Sequence, residues 1–166
     1  MLLCRFCAVP VAVAQAPEEV QVGGVLDDAA LQGLNGPSRK LSEFRGKPLI
    51  INLWASWCGP CRAEMASLER LAWHDGAGQF AIIGISTDDY PEQAKALLGK
   101  SNATISQFLD SKTRLERMLG ASRLPLTVFV DAEGRVLAKI YGARRWDDAD
   151  ALRLIDQTFR IQMGVP

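Results

Sequence analysis

The chain has 166 residues, a length that indicates one domain with room for a full hydrophobic core. Hydrophobic residues make up 48% and charged residues 23%, which is typical of a globular protein. Lysine plus arginine and aspartate plus glutamate both number 19, so no basic surplus points to nucleic acid or to an anionic membrane surface.

The first 16 residues are predicted to be a signal peptide or a short membrane anchor. The segment is apolar, carries a single arginine and ends in Ala14-Gln15-Ala16, which fits the small-x-small cleavage pattern. It is shorter than the ~20 residues of a membrane span. A start codon placed downstream of the true one would explain the minimal positive region. Residues 17–28 are predicted to be an exposed lead-in, and residues 29–166 a folded domain.

The four cysteines form two CxxC pairs, Cys4/Cys7 and Cys58/Cys61. A disulfide scaffold would need more cysteines, spread through the chain. Two such pairs can hold zinc, but the roughly fifty residues between them exceed the spacing of a zinc ribbon. We therefore expect no metal and no cofactor, and we expect Cys4 and Cys7 to be discarded with the signal peptide.

The start of the domain carries clear turn signals. Asn35-Gly36 lies between apolar residues and predicts a β-hairpin over residues 29–41. Ser42 is expected to cap one short helical turn that Gly46 ends. A buried strand is predicted over residues 48–54 and a helix over residues 62–73, with the second CxxC pair between them.

The rest of the chain alternates between strands and helices. Predicted strands cover residues 80–86, 103–109, 126–130 and 135–141, and predicted helices cover residues 91–98, 112–119 and 147–161. The order is β-α-β and then β-β-α, with an extra strand and helix between the two halves.

Cys58 and Cys61 lie where a strand leads into a helix. The unpaired N–H groups and the dipole at a helix start favour a thiolate, so we expect Cys58 to have a lowered pKa and to act as a nucleophile. Cys61 lies one helical turn later, close enough to attack a mixed disulfide at Cys58. Pro60 fits the first turn, where a missing N–H costs nothing.

The string Trp-Ala-Ser-Trp-Cys-Gly-Pro-Cys-Arg-Ala-Glu-Met, residues 54–65, resembles the active site of the thioredoxin superfamily, and more closely its exported TlpA/ResA-like branch. The amino-terminal hairpin resembles the same branch, and the extra strand–helix unit resembles an insertion found in the TlpA/ResA-like and peroxiredoxin-like branches. The resemblance implies an α/β thioredoxin fold: a central mixed sheet flanked by helices, with an N-terminal β-hairpin extension and a β-α insertion before the cis-proline strand.

The resemblance also implies supporting residues. Pro125 matches the cis-proline that faces the cysteine pair, and it would turn the backbone of Leu124 toward an extended peptide; the alternative is a trans proline that begins a strand. Glu64 matches a glutamate that influences thiol pKa values; the alternative is a solvated glutamate favoured by the helix dipole.

Two further features of the motif bear on its chemistry. Trp57 is expected to shield the disulfide and to contact partners. Gly59-Pro60 contains no histidine, and a histidine there would stabilise the thiolate and make the disulfide more oxidising. The motif therefore favours a reductant, or a thiol:disulfide exchanger with an intermediate reduction potential.

The predicted function is thiol:disulfide exchange in the periplasm, by a monomer that is free or anchored to the inner membrane. The resemblance implies protein substrates such as apocytochrome c or copper-site assembly proteins, and a membrane electron donor of the cytochrome-biogenesis type. A copper chaperone is one alternative, but chaperones of this fold use CxxxC and a nearby histidine, and the only histidine, His74, is at the far end of the helix. A thiol peroxidase is another, but Thr-x-x-Cys is absent before Cys58.

Overall fold

A seven-stranded mixed sheet forms the centre of the molecule, whose computed structural model describes residues 18–164. The strands are β1 (Ala30–Gly33), β2 (Arg39–Lys40), β3 (Leu49–Trp54), β4 (Ala81–Ser86), β5 (Ser106–Leu109), β6 (Leu126–Val130) and β7 (Val136–Tyr141). They lie in the order β2-β1-β5-β4-β3-β6-β7. β3, β4 and β5 are parallel, and every other pairing is antiparallel. The predicted thioredoxin fold, with its amino-terminal hairpin and its inserted β5 unit, is confirmed.

Helices cover both faces of the sheet. They are α1 (Gly59–Ala72), α2 (Pro91–Ser101), α3 (Arg114–Leu119) and α4 (Ala149–Phe159). The side chains of β3 alternate between two apolar cores, so that Ile50 packs with α1 and α4 while Ile51 packs with α3. Because both faces are covered, β3 is apolar at nearly every position, as a central strand must be.

Some element boundaries differ from the predictions. Helix α1 begins three residues early, since Cys58 has extended backbone angles and is its N-cap. The strand predicted from residue 103 begins only at Ser106. The prediction that Ser42 caps a helical turn is wrong: the 3-10 turn Leu41–Phe44 is capped at Lys40, whose N–H donates to Glu43 Oε1 at 2.6 Å. Ser42 lies inside the turn, and its own N–H donates to Asp28 Oδ1.

The predicted exposed lead-in is only partly exposed. Val25 forms a β-bridge with Arg135, and the Gly23 N–H donates to the Val136 carbonyl at 2.8 Å. Leu26 is buried in the apolar core. These contacts attach residues 23–26 to the outer edge of β7, so the folded unit extends further toward the amino terminus than residue 29.

The amino-terminal prediction lies outside the described residues, since the signal segment, Cys4 and Cys7 all fall within residues 1–16. In residues 18–164, no helix combines the length and the apolar character needed to cross a bilayer.

Candidate active site

Several loops meet at one edge of the sheet, and together they form the site. Trp54 at the end of β3 lies beside Ser86 at the end of the parallel strand β4. On the other side, Leu53 pairs with Leu126 at the start of β6. The Gly142 N–H, just after β7, donates to the Pro125 carbonyl at 2.9 Å. The loops that follow β3, β4 and β7 and the loop that precedes β6 therefore lie side by side.

The two cysteines are joined in a disulfide at this edge, with their Cα atoms 5.3 Å apart. Cys61 is fully buried, whereas Cys58 keeps 6% of its surface exposed. Cys58 Sγ accepts a hydrogen bond from the Cys61 N–H at 3.3 Å. A sulfur at the N-cap of α1 lies at the positive end of the helix dipole, which favours a thiolate once the disulfide is reduced.

Apolar groups rim the disulfide. Leu124 packs against the cluster that contains both cysteines, and the peptide bond between Leu124 and Pro125 is cis. The alternative of a trans proline is therefore wrong. Trp57, directly before Cys58, is 69% exposed. The exposed ring and the buried sulfurs leave an apolar surface for a partner beside the reactive bond.

Glu64 is buried, with 2% of its surface exposed, so the alternative of a solvated glutamate is wrong. Its Oε1 accepts from Asn52 Nδ2 at 2.7 Å, and its Oε2 accepts from the Arg144 N–H at 2.9 Å and Trp146 Nε1 at 3.2 Å. Burial raises the pKa of Glu64, although these three donors act in the opposite direction. Among the described residues, no hydrogen bond joins this carboxyl group to Cys61.

A second buried carboxylate, Asp88, holds the turn before the cysteines. Asp88 is 1% exposed and follows β4. Its oxygens accept from the Ser56 N–H at 2.9 Å, Ser56 Oγ at 2.6 Å and Ser86 Oγ at 2.7 Å. Because Ser56 lies two residues before Cys58, these bonds fix the backbone that leads into the disulfide.

A family model described as Redoxin matches residues 18–155. The chain belongs to the Redoxin family. It is 26% identical over 129 residues to the thiol-disulfide oxidoreductase ResA of Geobacillus thermodenitrificans, a match that covers 78% of this chain and 74% of ResA. It is 35% identical over 111 residues to the thiol:disulfide interchange protein HelX of Rhodobacter capsulatus, covering 66% of this chain and 61% of HelX.

Solved structures agree with the fold of this Redoxin domain. A crystal structure from Chlorobium tepidum that carries the name of the thiol:disulfide interchange protein DsbE superposes with a TM-score of 0.74 at 28% identity, covering 84% of this chain and 96% of that one. The predicted resemblance to the TlpA/ResA-like branch is therefore confirmed.

The Redoxin site brings together Cys58, Cys61, Leu124 and Pro125 as the sequence predicted, but it also contains residues that the sequence analysis missed. Asp88 carried a usable signal, since it lies two residues after the strand predicted over residues 80–86. The Arg144–Trp146 segment carried none. Its two hydrogen bonds to Glu64 span 80 and 82 positions of the chain, and nothing in the local sequence indicates them.

Proposed function

We propose that this protein is a reductant of disulfide bonds in exported proteins, with Cys58 as the attacking sulfur and Cys61 as the resolving sulfur. The broader assignment, a thiol:disulfide oxidoreductase, is shared with relatives named for that activity and fits the Cys58–Cys61 disulfide. The proposal adds the order of attack, the direction of electron flow and the class of substrate.

The observation that carries the order of attack is the unequal burial of the two cysteines: Cys58 keeps 6% of its surface exposed, whereas Cys61 keeps none. A partner disulfide reaches Cys58, which keeps an exposed surface, and does not reach Cys61, which is sealed. The helix dipole acts in the same sense, because Cys58 is the N-cap of α1. The more accessible sulfur is thus also the one whose thiolate is favoured.

The reaction balances without any further group. The Cys58 thiolate attacks one sulfur of the partner disulfide, forms a mixed disulfide and releases the other sulfur as a thiolate, which takes up a proton. Cys61 then loses its proton and attacks Cys58 Sγ. The Cys58–Cys61 bond forms and the second partner thiol leaves, so that two electrons pass from the enzyme to the partner.

Trp57, Gly59, Pro60, Leu124 and Pro125 support this exchange. Leu124, which packs against the cysteines, and Trp57, which is exposed directly before Cys58, offer apolar contact to a partner. The backbone at Leu124 offers hydrogen bonds to an extended substrate segment. Gly59-Pro60 forms the first turn of α1 between the sulfurs. The carboxyl group of Glu64 lies three residues after Cys61 on α1. It influences how readily the buried Cys61 thiol loses its proton.

The finer assignment rests on the TlpA/ResA-like resemblance. We propose that the protein acts in the periplasm as a monomer, with apocytochrome c or copper-site assembly proteins as substrates. A membrane electron donor of the cytochrome-biogenesis type would then reduce Cys58–Cys61 again. The absence of histidine from Gly59-Pro60 supports the reducing direction.

Insulin reduction driven by dithiothreitol tests the proposal. We expect the wild-type protein to accelerate insulin reduction and the Cys58→Ser variant to lose this activity to the uncatalysed rate. The matched control is the Cys4→Ser/Cys7→Ser double variant, which we expect to retain wild-type activity. An oxidised peptide with the haem-binding Cys-x-x-Cys-His motif then tests the substrate class. Activity retained in Cys58→Ser would contradict the proposed mechanism, and a haem-motif peptide that is not reduced would contradict the apocytochrome assignment.

A further inference from the structure

An open groove of about 400 Å³ lies beside the first turns of α1, and three arginines line it. We call this the arginine surface, defined by Arg70, Arg144 and Arg145. The groove lies beside the part of α1 that directly follows the cysteines, because Ala63, Glu64 and Ser67 also line it. Its positive charge is local, since the whole chain has equal numbers of acidic and basic residues.

The carboxylate of Asp147 pairs with two of these arginines, and the buried carboxyl group of Glu64 also lines the groove. Asp147 accepts from Arg70 Nε at 2.6 Å and from Arg145 Nε at 3.2 Å. Both arginine side chains remain largely exposed. Arg144 has no carboxylate partner within residues 18–164, so two positive charges of the three are not neutralised.

The backbone holds Arg144 in place while its side chain stays exposed. The Arg144 N–H donates to Glu64 Oε2 at 2.9 Å, and the next residue but one, Trp146, donates its N–H to Ser67 Oγ at 3.0 Å. Trp146 is fully buried, and the Arg144 guanidinium lies 6.0 Å from the centre of its ring. The backbone of Arg144 is therefore held beside α1, while its charge stays accessible to a partner.

This segment borders the disulfide. Gly142 contacts Pro125 through its N–H, and residues 142–146 run from Pro125 to α1. On the other side of β3, the loop after β4 carries the exposed acids Asp89 and Glu92 at the start of α2. Helix α2 also carries the exposed cation Lys95, so the clear surplus of one charge in this region is the positive charge of the arginine surface. Such a field orients a charged partner as it approaches.

We propose that the arginine surface binds an acidic segment that flanks the target disulfide in the substrate protein. This inference rests on the proposed function and defines its substrates more narrowly. An anionic membrane is a poorer match, because lipid-binding clusters bring together about four to eight basic residues and this surface has three, one of them neutralised by Asp147.

Three oxidised peptides with the same disulfide test the inference. The peptides differ only in the residues that flank the disulfide, which are aspartate, serine or lysine. Second-order rate constants for reduction by the fully reduced protein are measured at low and high salt. We expect the aspartate peptide to react fastest and the lysine peptide slowest, with the difference shrinking as salt rises.

The decisive variant is Arg144→Glu, which keeps the backbone N–H bond to Glu64. We expect it to slow the aspartate peptide by about three- to tenfold and to leave the serine peptide within about twofold of wild type, because an uncharged flank does not depend on the charge at residue 144. The reduction potential is expected to stay unchanged. Lys47→Glu is the matched control, since Lys47 is exposed and precedes the opposite end of β3.

Each outcome has one meaning. Equal rates for the three peptides, or an equal loss in Lys47→Glu, would overturn the inference and leave the proposed function intact. Wild-type protein that reduces none of the peptides would instead overturn the proposed function. Binding to phosphatidylglycerol vesicles that Arg144→Glu abolishes, without a preference among the peptides, would assign the surface to lipid and overturn the inference.

Discussion

Glu64 links the active-site helix to a distant loop through a buried carboxyl group. Its oxygens contact Asn52 on β3 and both Arg144 and Trp146 in the loop after β7. A neutral carboxyl group costs less to bury than a carboxylate, but it has one lone-pair acceptor fewer for these donors. Asn52 can adapt by turning its amide, since it also contacts Thr127 Oγ1 at 3.0 Å. A protonated Glu64 can therefore donate to the oxygen of a turned Asn52 amide.

This burial makes the free energy of unfolding depend on pH. The pKa of Glu64 is raised above its usual 4.5 in the folded protein, so the folded state holds the proton more tightly than the unfolded state. The stability that this proton provides is complete below pH 4.5 and is lost as pH rises through the folded pKa. The loss has a slope of at most about 1.4 kcal/mol per pH unit.

Urea unfolding of the oxidised protein across this pH range measures the effect. We expect the free energy of unfolding of Glu64→Gln to fall less than that of the wild type as pH rises. Glutamine does not titrate, and its amide can bond to a turned Asn52. The exposed glutamate variant Glu133→Gln is the control and should follow the wild type. Parallel curves for wild type and Glu64→Gln would contradict a raised Glu64 pKa.

The contact between β4 and β5 depends on a glycine. Gly84 pairs with Gln107 across the two parallel strands, and a Cβ at Gly84 would lie 1.9 Å from Gln107 Oε1. That same oxygen accepts from Trp54 Nε1 at 2.9 Å, so Gln107 cannot move away without leaving a buried indole N–H without its partner. Only a residue without a side chain fits between these strands.

We therefore expect Gly84→Ala to lower the free energy of unfolding by about 1–3 kcal/mol, the usual cost of overpacking a core. Gly99→Ala is a matched control in α2, where an added Cβ meets no atom within 4 Å. It should stabilise the protein by about 0.5–1 kcal/mol through helix propensity. Chemical denaturation measures both values. Equal effects of the two substitutions would show that the Gln107 side chain can move away at no cost, which would contradict this account of Gly84.

At the scale of the whole molecule, the fold could be predicted because its signals are local. The apolar run of β3, the Asn35-Gly36 turn and the CxxC motif before a helical pattern each lie within a few residues of chain. The polar network around the site could not be predicted, because it joins residues far apart. Asp88 meets Ser56 across 32 positions, and only the parallel pairing of β3 and β4 brings them together.

The predicted lead-in, residues 17–28, is a second place where the sequence did not indicate the contacts that the structure shows. Residues 20–28 mix four apolar residues, two adjacent glycines and three polar residues, without the sustained alternation that predicts a strand. The order of this segment comes from backbone bonds to the free edge of β7, and Leu26 is the only side chain among residues 18–28 that is buried. Backbone pairing of this kind leaves no pattern in the sequence.

The central claim, that Cys58 is the sulfur that attacks a partner, is tested most directly by trapping the mixed disulfide. The reduced Cys61→Ser variant is mixed with an oxidised peptide, quenched with acid, and analysed by intact mass and peptide mapping. We predict an adduct of one peptide chain on Cys58, and at least a tenfold slower adduct on Cys61 in the Cys58→Ser variant, because Cys61 is sealed from solvent. An adduct on Cys61 that forms as fast as the one on Cys58 would contradict the account.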